Sequence, residues 1–359
     1  MEVSEGREAL RNAGLAIIAV GVVLAGLVYG RTFLVPLAIS ILVWNLLEAM
    51  IESFARLRLG SFRVPKWLAA ILGIAVVLLG FYLVIWILLN QVDAVIAAWP
   101  RYVARLQTII GDLTQWLGVE QSAKLRDAFA KIDLTQRLPG AFASAQSFVV
   151  TLLIIVAYVD FLFVESGYMT QKIVAMFPER RHAEEARKVL NDVSESVRRY
   201  IFVKTGVSAL TGVCCYAVMR LIGIDFATWA LLIFFLNFIP NIGSIIGVFL
   251  PALVALVQFD TLGPFVLVVV GLTAINLVIG SVLEPMLMGS TLNMSPFAII
   301  LSLAFWGMIW GIVGMFLSVP IMVLVMIICA HIPGWRWVAV LLSKDGNIDE
   351  PSGTASASA

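Results

Sequence analysis

Between Thr205 and Trp335 the chain carries one basic residue, Arg220, and three acids, Asp225, Asp260 and Glu284. A stretch that long and that poor in charge cannot cover an aqueous surface, so it restricts the fold to structures solvated by lipid. The remainder agrees: 61% of the 359 residues are hydrophobic and 13% are charged. Runs near 13–29, 33–53, 67–90, 148–165, 206–222 and 264–284 each approach the length a helix needs to cross about 30 Å of hydrocarbon. The start resembles a secretory leader, with Arg7 and Arg11 before an apolar core, but no small-x-small cleavage site follows and apolar sequence resumes at Phe33. A helical hairpin is the better reading.

Charge placement orients these spans. Arg56, Arg58, Arg63 and Lys66 lie between the second and third spans, against Arg31 alone between the first and second. Another basic segment runs from Lys172 to Lys204. Both basic loops, and hence both termini, are expected on the cytoplasmic side. The apolar positions from Val92 to Trp116 have helical spacing and predict an amphipathic helix outside the hydrocarbon, lying at the headgroups or packing against its copies. A second such helix is expected around Ala186–Ile201, with Glu184 and Lys188 paired at i, i+4. The tail PSGTASASA has nothing to bury and is expected to be disordered. Cys214, Cys215 and Cys329 fall in apolar runs and read as packing residues. The regions are therefore 1–90 (three spans), 91–147 (extracytoplasmic amphipathic segment), 148–205 (fourth span and cytoplasmic helix), 206–335 (core) and 336–359 (cytoplasmic tail).

The core breaks itself. FLNFIPNIGSIIG at 235–247 puts Asn237, Pro240, Asn241, Gly243 and Ser244 inside an apolar run. It leaves arms of about fourteen residues, near 21 Å each and too short to span. A re-entrant hairpin fits, because irregular backbone at depth is tolerated only where protein or a water-filled cavity satisfies it. Gly307, Gly311 and Gly314 make a second break within 297–331. IIGVFL before Pro251 and IVGMFL before Pro320 hint at an internal repeat of one span plus one hairpin. The expected architecture is all-α, polytopic, with six spanning helices and two re-entrant hairpins; eight plain spans is the alternative.

Glu284 is an intramembrane acid, which points to coupling-ion or substrate binding, or else to an interfacial helix end. Asn276 lies eight residues earlier on a shared face. Asp160 and Glu165 read as a snorkelling interfacial pair, with a proton relay as the alternative, and Glu48, Glu52 and Arg56 as a boundary salt bridge. Enzyme chemistry finds no support: His182 and His331 are the only histidines, and neither an HExxH helix nor a phosphate-cradling glycine loop is present. The sequence calls for no cofactor, no metal and no nucleic acid.

Pro178 through Tyr200, Gly223, FIPNIG, Pro251, VLEPMLMG, Leu292, Pro296 and GIVGMFLSVP together resemble the AI-2E family of bacterial membrane proteins, the autoinducer-2 exporter-like transporters. The usual motif carries an aromatic residue where this chain has Asn241. The resemblance implies a secondary transporter in the bacterial inner membrane, assembled as a homo-oligomer with a pentamer as one stoichiometry. Its cargo would be a small polar solute, signal molecule or cation, moved by alternating access with coupling to H+ or Na+ left open. An oligomeric channel and a cation/proton antiporter are the alternatives. The site residues expected are Asn237, Pro240, Asn241, Gly243, Ser244, Asn276, Glu284, Gly311 and Gly314.

Overall fold

The computed structural model describes residues 2–59, 62–117, 134–177, 179–224, 228–288 and 293–346. The tail expected to be disordered lies outside them, as do Asp225, Gly289 and Leu292. Ten helices are described: α1 (Glu2–Tyr29), α2 (Arg31–Arg56), α3 (Lys66–Leu117), α4 (Leu134–Met176), α5 (Arg180–Ile222), α6 (Thr228–Leu236), α7 (Ile242–Gln258), α8 (Leu262–Met288), α9 (Pro296–His331) and α10 (Arg336–Leu342). Helices dominate because each satisfies its own backbone hydrogen bonds without water. Among the described residues, a two-residue ribbon in the basic loop, β1 (Arg58–Leu59) against β2 (Phe62–Arg63), and a bridge between Met294 and Ser343 depart from all-α.

Six described helices are long and apolar enough to cross a membrane: α2, the Lys66–Ile87 part of α3, Val150–Met169 of α4, α5, α8 and α9. The set differs from the sequence expectation. The first expected span, 13–29, is represented by the shorter apolar stretch Ile17–Tyr29, and Pro296–His331 joins the set. Nor are the two amphipathic segments separate helices. α3 runs on through Leu117 for 52 residues, about 78 Å, and α5 joins the Ala186–Ile201 segment to the following apolar run. A change from apolar to amphipathic composition alters a helix's surroundings without interrupting its hydrogen bonds. Glu184 pairs with Arg180 at 3.0 Å, whereas the sequence spacing put it with Lys188.

The chain forms two compact units. One is built from Met1–Trp44, Thr151–Val193 and Met294–Ile348, the other from Asn45–Val150 and Ser194–Asn293. In the second unit, α6 and α7 fold back on each other, with Gly243 against the Leu236 carbonyl and Gly247 against Ile233. Sequence positions that rise on one arm as they fall on the other define an antiparallel helical hairpin. Its flank buries Cys215 and Met219 of α5, Ile233 of α6, Ala252 and Ala255 of α7, and Val268 and Leu272 of α8. Gln258 donates to the Gly223 carbonyl at 2.9 Å, and Arg105 of α3 reaches Asp260 at 3.3 Å, which ties down the turn after α7.

The first unit repeats the device. α9 is two helices joined at Gly311, whose φ of 65° and ψ of −142° suit glycine alone. Gly314 lies against the Trp306 carbonyl, Gly307 against Met315, and the Ser302 hydroxyl donates to the Ser318 carbonyl at 3.0 Å. The arms 296–310 and 312–331 are therefore antiparallel. Trp310 at the tip donates its indole N–H to the Leu27 carbonyl near the end of α1, 2.9 Å away. Ser40 of α2 donates to Pro36 and to Ile155 of α4, at 2.6 and 3.3 Å. All three cysteines are free, and Cys215 and Cys329 are buried.

A Cβ at Gly243 would overlap the Leu236 carbonyl oxygen, whereas one at Gly247 would stand 3.6 Å from Ile233 in ordinary contact. Backbone cannot yield as a side-chain tip can. Gly243→Val is expected to destabilise the protein by about 3 kcal/mol or more, and Gly247→Ala by less than about 1 kcal/mol. The apparent melting midpoints of the two variants in detergent measure the contrast.

Candidate functional site

Three buried polar groups of the second unit share one stripe of α5. Lys204, Ser208 and Thr211 stand at i, i+4 and i+7, so they share a helix face, and all three are buried. Beyond them the same side of α5 continues into the apolar Cys215 and Met219. Each polar residue must find a partner, since a buried polar group without a hydrogen bond costs about 1–3 kcal/mol and a lone charge more.

Lys204 finds Glu284 of α8, with Nζ 2.5 Å from Oε1. The two side chains are only 7% and 19% exposed. The sequence left Glu284 as an isolated acid, and the structure supplies its counter-ion. Buried as they are, neither group can be removed cheaply: deleting one partner leaves the other as an uncompensated charge.

One turn along α5, Ser208 accepts a hydrogen bond from Asn237 Nδ2 at 3.1 Å. Asn237 opens the tip of the α6–α7 hairpin and is itself buried. After it the chain turns through Phe238 to Asn241. The Ile242 N–H donates to the Pro240 carbonyl at 2.6 Å around Asn241, whose φ of 60° and ψ of −53° make a strained γ-turn. Asparagine tolerates positive φ better than bulky residues do, which suits Asn241 to this turn. Its carbonyl accepts from Ile245 at 3.2 Å, and Gly243 N–H closes on Ile239 at 3.0 Å. Pro240 and Ser244 are half-buried beside the tip, and Asn241 is exposed.

α8 contains a π-helical turn at Ile279–Leu283, immediately before Glu284 and Pro285. Pro285 has no N–H and its ring crowds the carbonyl four residues back; a widened turn relieves that crowding. The Glu284 N–H accordingly donates to Ile279, five residues back. The extra residue brings Glu284 into the phase an α-helix reaches at i+7 from Asn276, so the two keep a common side of α8. Asn276 nevertheless turns its Nδ2 to its own helix, onto the Leu272 carbonyl at 2.9 Å.

Asn237 and Glu284 are thus brought together through α5, while Gly311 and Gly314 belong to the other unit. Lys204 and Ser208 were missed by sequence reasoning. A signal was available: Lys204 is the last base before the charge-poor stretch, and Ser208 follows it at helical spacing. Arg198 was missed too. It grips Glu48 at 2.6 Å and also pairs with Glu52, which reaches Arg56 at 3.7 Å, so two acids and two bases balance there. Glu165 is paired with Lys172, both half exposed.

Ser208→Ala deprives the Asn237 amide of its acceptor and is expected to cost about 1–3 kcal/mol. Among the described residues Thr211 bonds to the Val207 carbonyl of its own helix, 2.8 Å away, so Thr211→Val should cost under about 1 kcal/mol. Thermal unfolding of the two variants side by side gives the comparison.

The model of the AI-2E family transporters matches residues 15–334. The chain is 30% identical over 330 residues to the AI-2 transport protein TqsA of Escherichia coli K12, covering 90% of this chain and 92% of the relative. It is 29% identical over 342 residues to a putative transport protein of Haemophilus influenzae, covering 93% and 96%. A putative transport protein of Escherichia coli K12, YhhT, is 28% identical over 337 residues, covering 91% and 93%. With the family's model matching nearly its whole length, this multi-pass helical membrane protein belongs to the AI-2E transporter family.

Proposed function

We propose that the protein is a secondary transporter that moves a small polar solute or signal molecule by alternating access, with Asn237, Asn241, Ser244 and the Lys204–Glu284 pair forming its binding region. One observation carries the reading: two adjacent turns of α5 hold both the tip of a broken-helix hairpin and a buried carboxylate. Broken helices that present polar groups at depth are the means by which many transporters hold solute. Two further features support it. A second hairpin turns on Gly311 and Gly314, and the hairpins belong to separate compact units, as movement of one part against another requires.

In this reading both hairpins are re-entrant, both termini are cytoplasmic and the protein is a homo-oligomer in the inner membrane. The relative TqsA is named for AI-2 transport, which makes AI-2 the first solute to assay. H+ or Na+ is the coupling ion, and Glu284 is where it acts. The burial of that carboxylate also favours a second reading, a cation/proton antiporter whose cargo is the ion itself.

Glu284→Gln keeps the shape and hydrogen-bonding capacity of the side chain but removes the charge change. Driven flux in proteoliposomes under an imposed proton or sodium gradient is expected to fall at least tenfold. Exchange of solute across ungraded membranes is expected to survive. Full driven flux in the variant, with its ion dependence intact, would remove Glu284 from the coupling step.

A further inference from the structure

Lys204 and Glu284 form an intramembrane pair at 2.5 Å in which the lysine is almost wholly buried. The surrounding sequence supplies few substitutes, because Arg220 is the only other lysine or arginine between residues 200 and 335. We propose that Lys204 is the resident cation of the Glu284 site: its ammonium fills the place a monovalent metal cation would take, and so sets the site's cation affinity. This inference rests on the reading of that region as the transport site.

A carboxylate buried in a low-dielectric interior requires a positive partner. An ammonium and a sodium ion carry the same charge and both bind carboxylate oxygen, so only one of them is needed to neutralise Glu284. The nature of the basic residue matters as well. Lysine presents a compact point charge on a flexible stem and can withdraw, whereas arginine grips a carboxylate through a rigid fork. The contrast occurs within the same helix: Arg198 is held between Glu48 and Glu52 at the more exposed end, a locked arrangement, while Lys204 meets one carboxylate among the described residues.

The consequences are specific. With Lys204 in place the site is neutral overall, and a cation enters only by displacing the ammonium. Removal of the competitor strengthens cation binding by the factor that the ion pair had contributed. Ser208, which accepts from Asn237, stands one turn further along α5, so the exchange takes place next to the contact that holds the hairpin tip.

The test is a binding measurement that needs no transport. Purified Lys204→Met, Lys204→Arg and Lys204→Met/Glu284→Gln proteins are heated in detergent at alkaline pH while sodium chloride replaces choline chloride at constant ionic strength. Lys204→Met is expected to melt at a midpoint that rises with sodium, half-saturating at a concentration at least tenfold below any sodium effect in the unaltered protein. Lys204→Arg and the double variant are expected to show no such rise. A Lys204→Met protein recovered in monodisperse form only when sodium is present gives the same result through folding.

Two results overturn the proposal: a Lys204→Met midpoint indifferent to sodium, or a Lys204→Met protein that aggregates with and without sodium while the double variant is recovered. Either would show that a metal cation cannot replace the ammonium. Solute flux in the unaltered protein is measured separately. Its absence would remove the transport reading and leave the binding result standing, whereas flux alongside a sodium-indifferent Lys204→Met would remove only the role given to Lys204.

Discussion

Hydrocarbon offers a broken helix no water, and the backbone groups freed by a break there have to be met by protein or by a water-filled cavity. The two hairpins answer this in the same way. A glycine on the returning arm, Gly243 or Gly314, lets a carbonyl of the first arm, Leu236 or Trp306, approach closer than any side chain would permit. A residue with positive φ, Asn241 or Gly311, reverses the chain between the arms. The tips then hold on to neighbours with polar side chains, Asn237 to Ser208 and Trp310 to Leu27. Tight backbone contact and one side-chain anchor per tip allow the chain to turn within apolar sequence.

Charge burial follows the same rule at higher stakes. The pair between α5 and α8 places a lysine and a glutamate where neither survives alone, and the π turn that accommodates Pro285 sets the phase in which Glu284 faces α5. α5 is consequently the organising helix of its unit. Its stripe changes from ionic at Lys204, through hydroxyl at Ser208 and Thr211, to apolar at Cys215 and Met219. Such a gradient concentrates the polar contacts at one level and leaves the rest of the interface to hydrophobic packing with α6, α7 and α8.

Much of this was legible in the sequence because membrane solvation leaves few options. The charge-poor stretch required helices, and arms too short to span on either side of Asn237–Ser244 and Gly307–Gly314 required turns there. The strings that hinted at an internal repeat align Gly247 with Gly314, whereas Gly243 is the residue that meets a carbonyl as Gly314 does. Other features were hidden for physical reasons. Helix continuity through 90–92 and 201–206 leaves no compositional mark, since the composition reports what surrounds a helix. Ion pairs between distant segments, Lys204 with Glu284 and Arg198 with Glu48, depend on packing that no local spacing encodes.

The claim that most needs testing is that the α6–α7 tip faces a passage reached from each side of the membrane in turn. Ser244 is half-buried beside that tip, and a cysteine there would report on its surroundings. Ser244→Cys, placed in a protein whose Cys214, Cys215 and Cys329 are replaced, is treated with a small impermeant thiol reagent in right-side-out and in inverted vesicles. Alternating access predicts modification from both faces, slowed when the transported solute is present. Modification from one face only, or from neither, would contradict it.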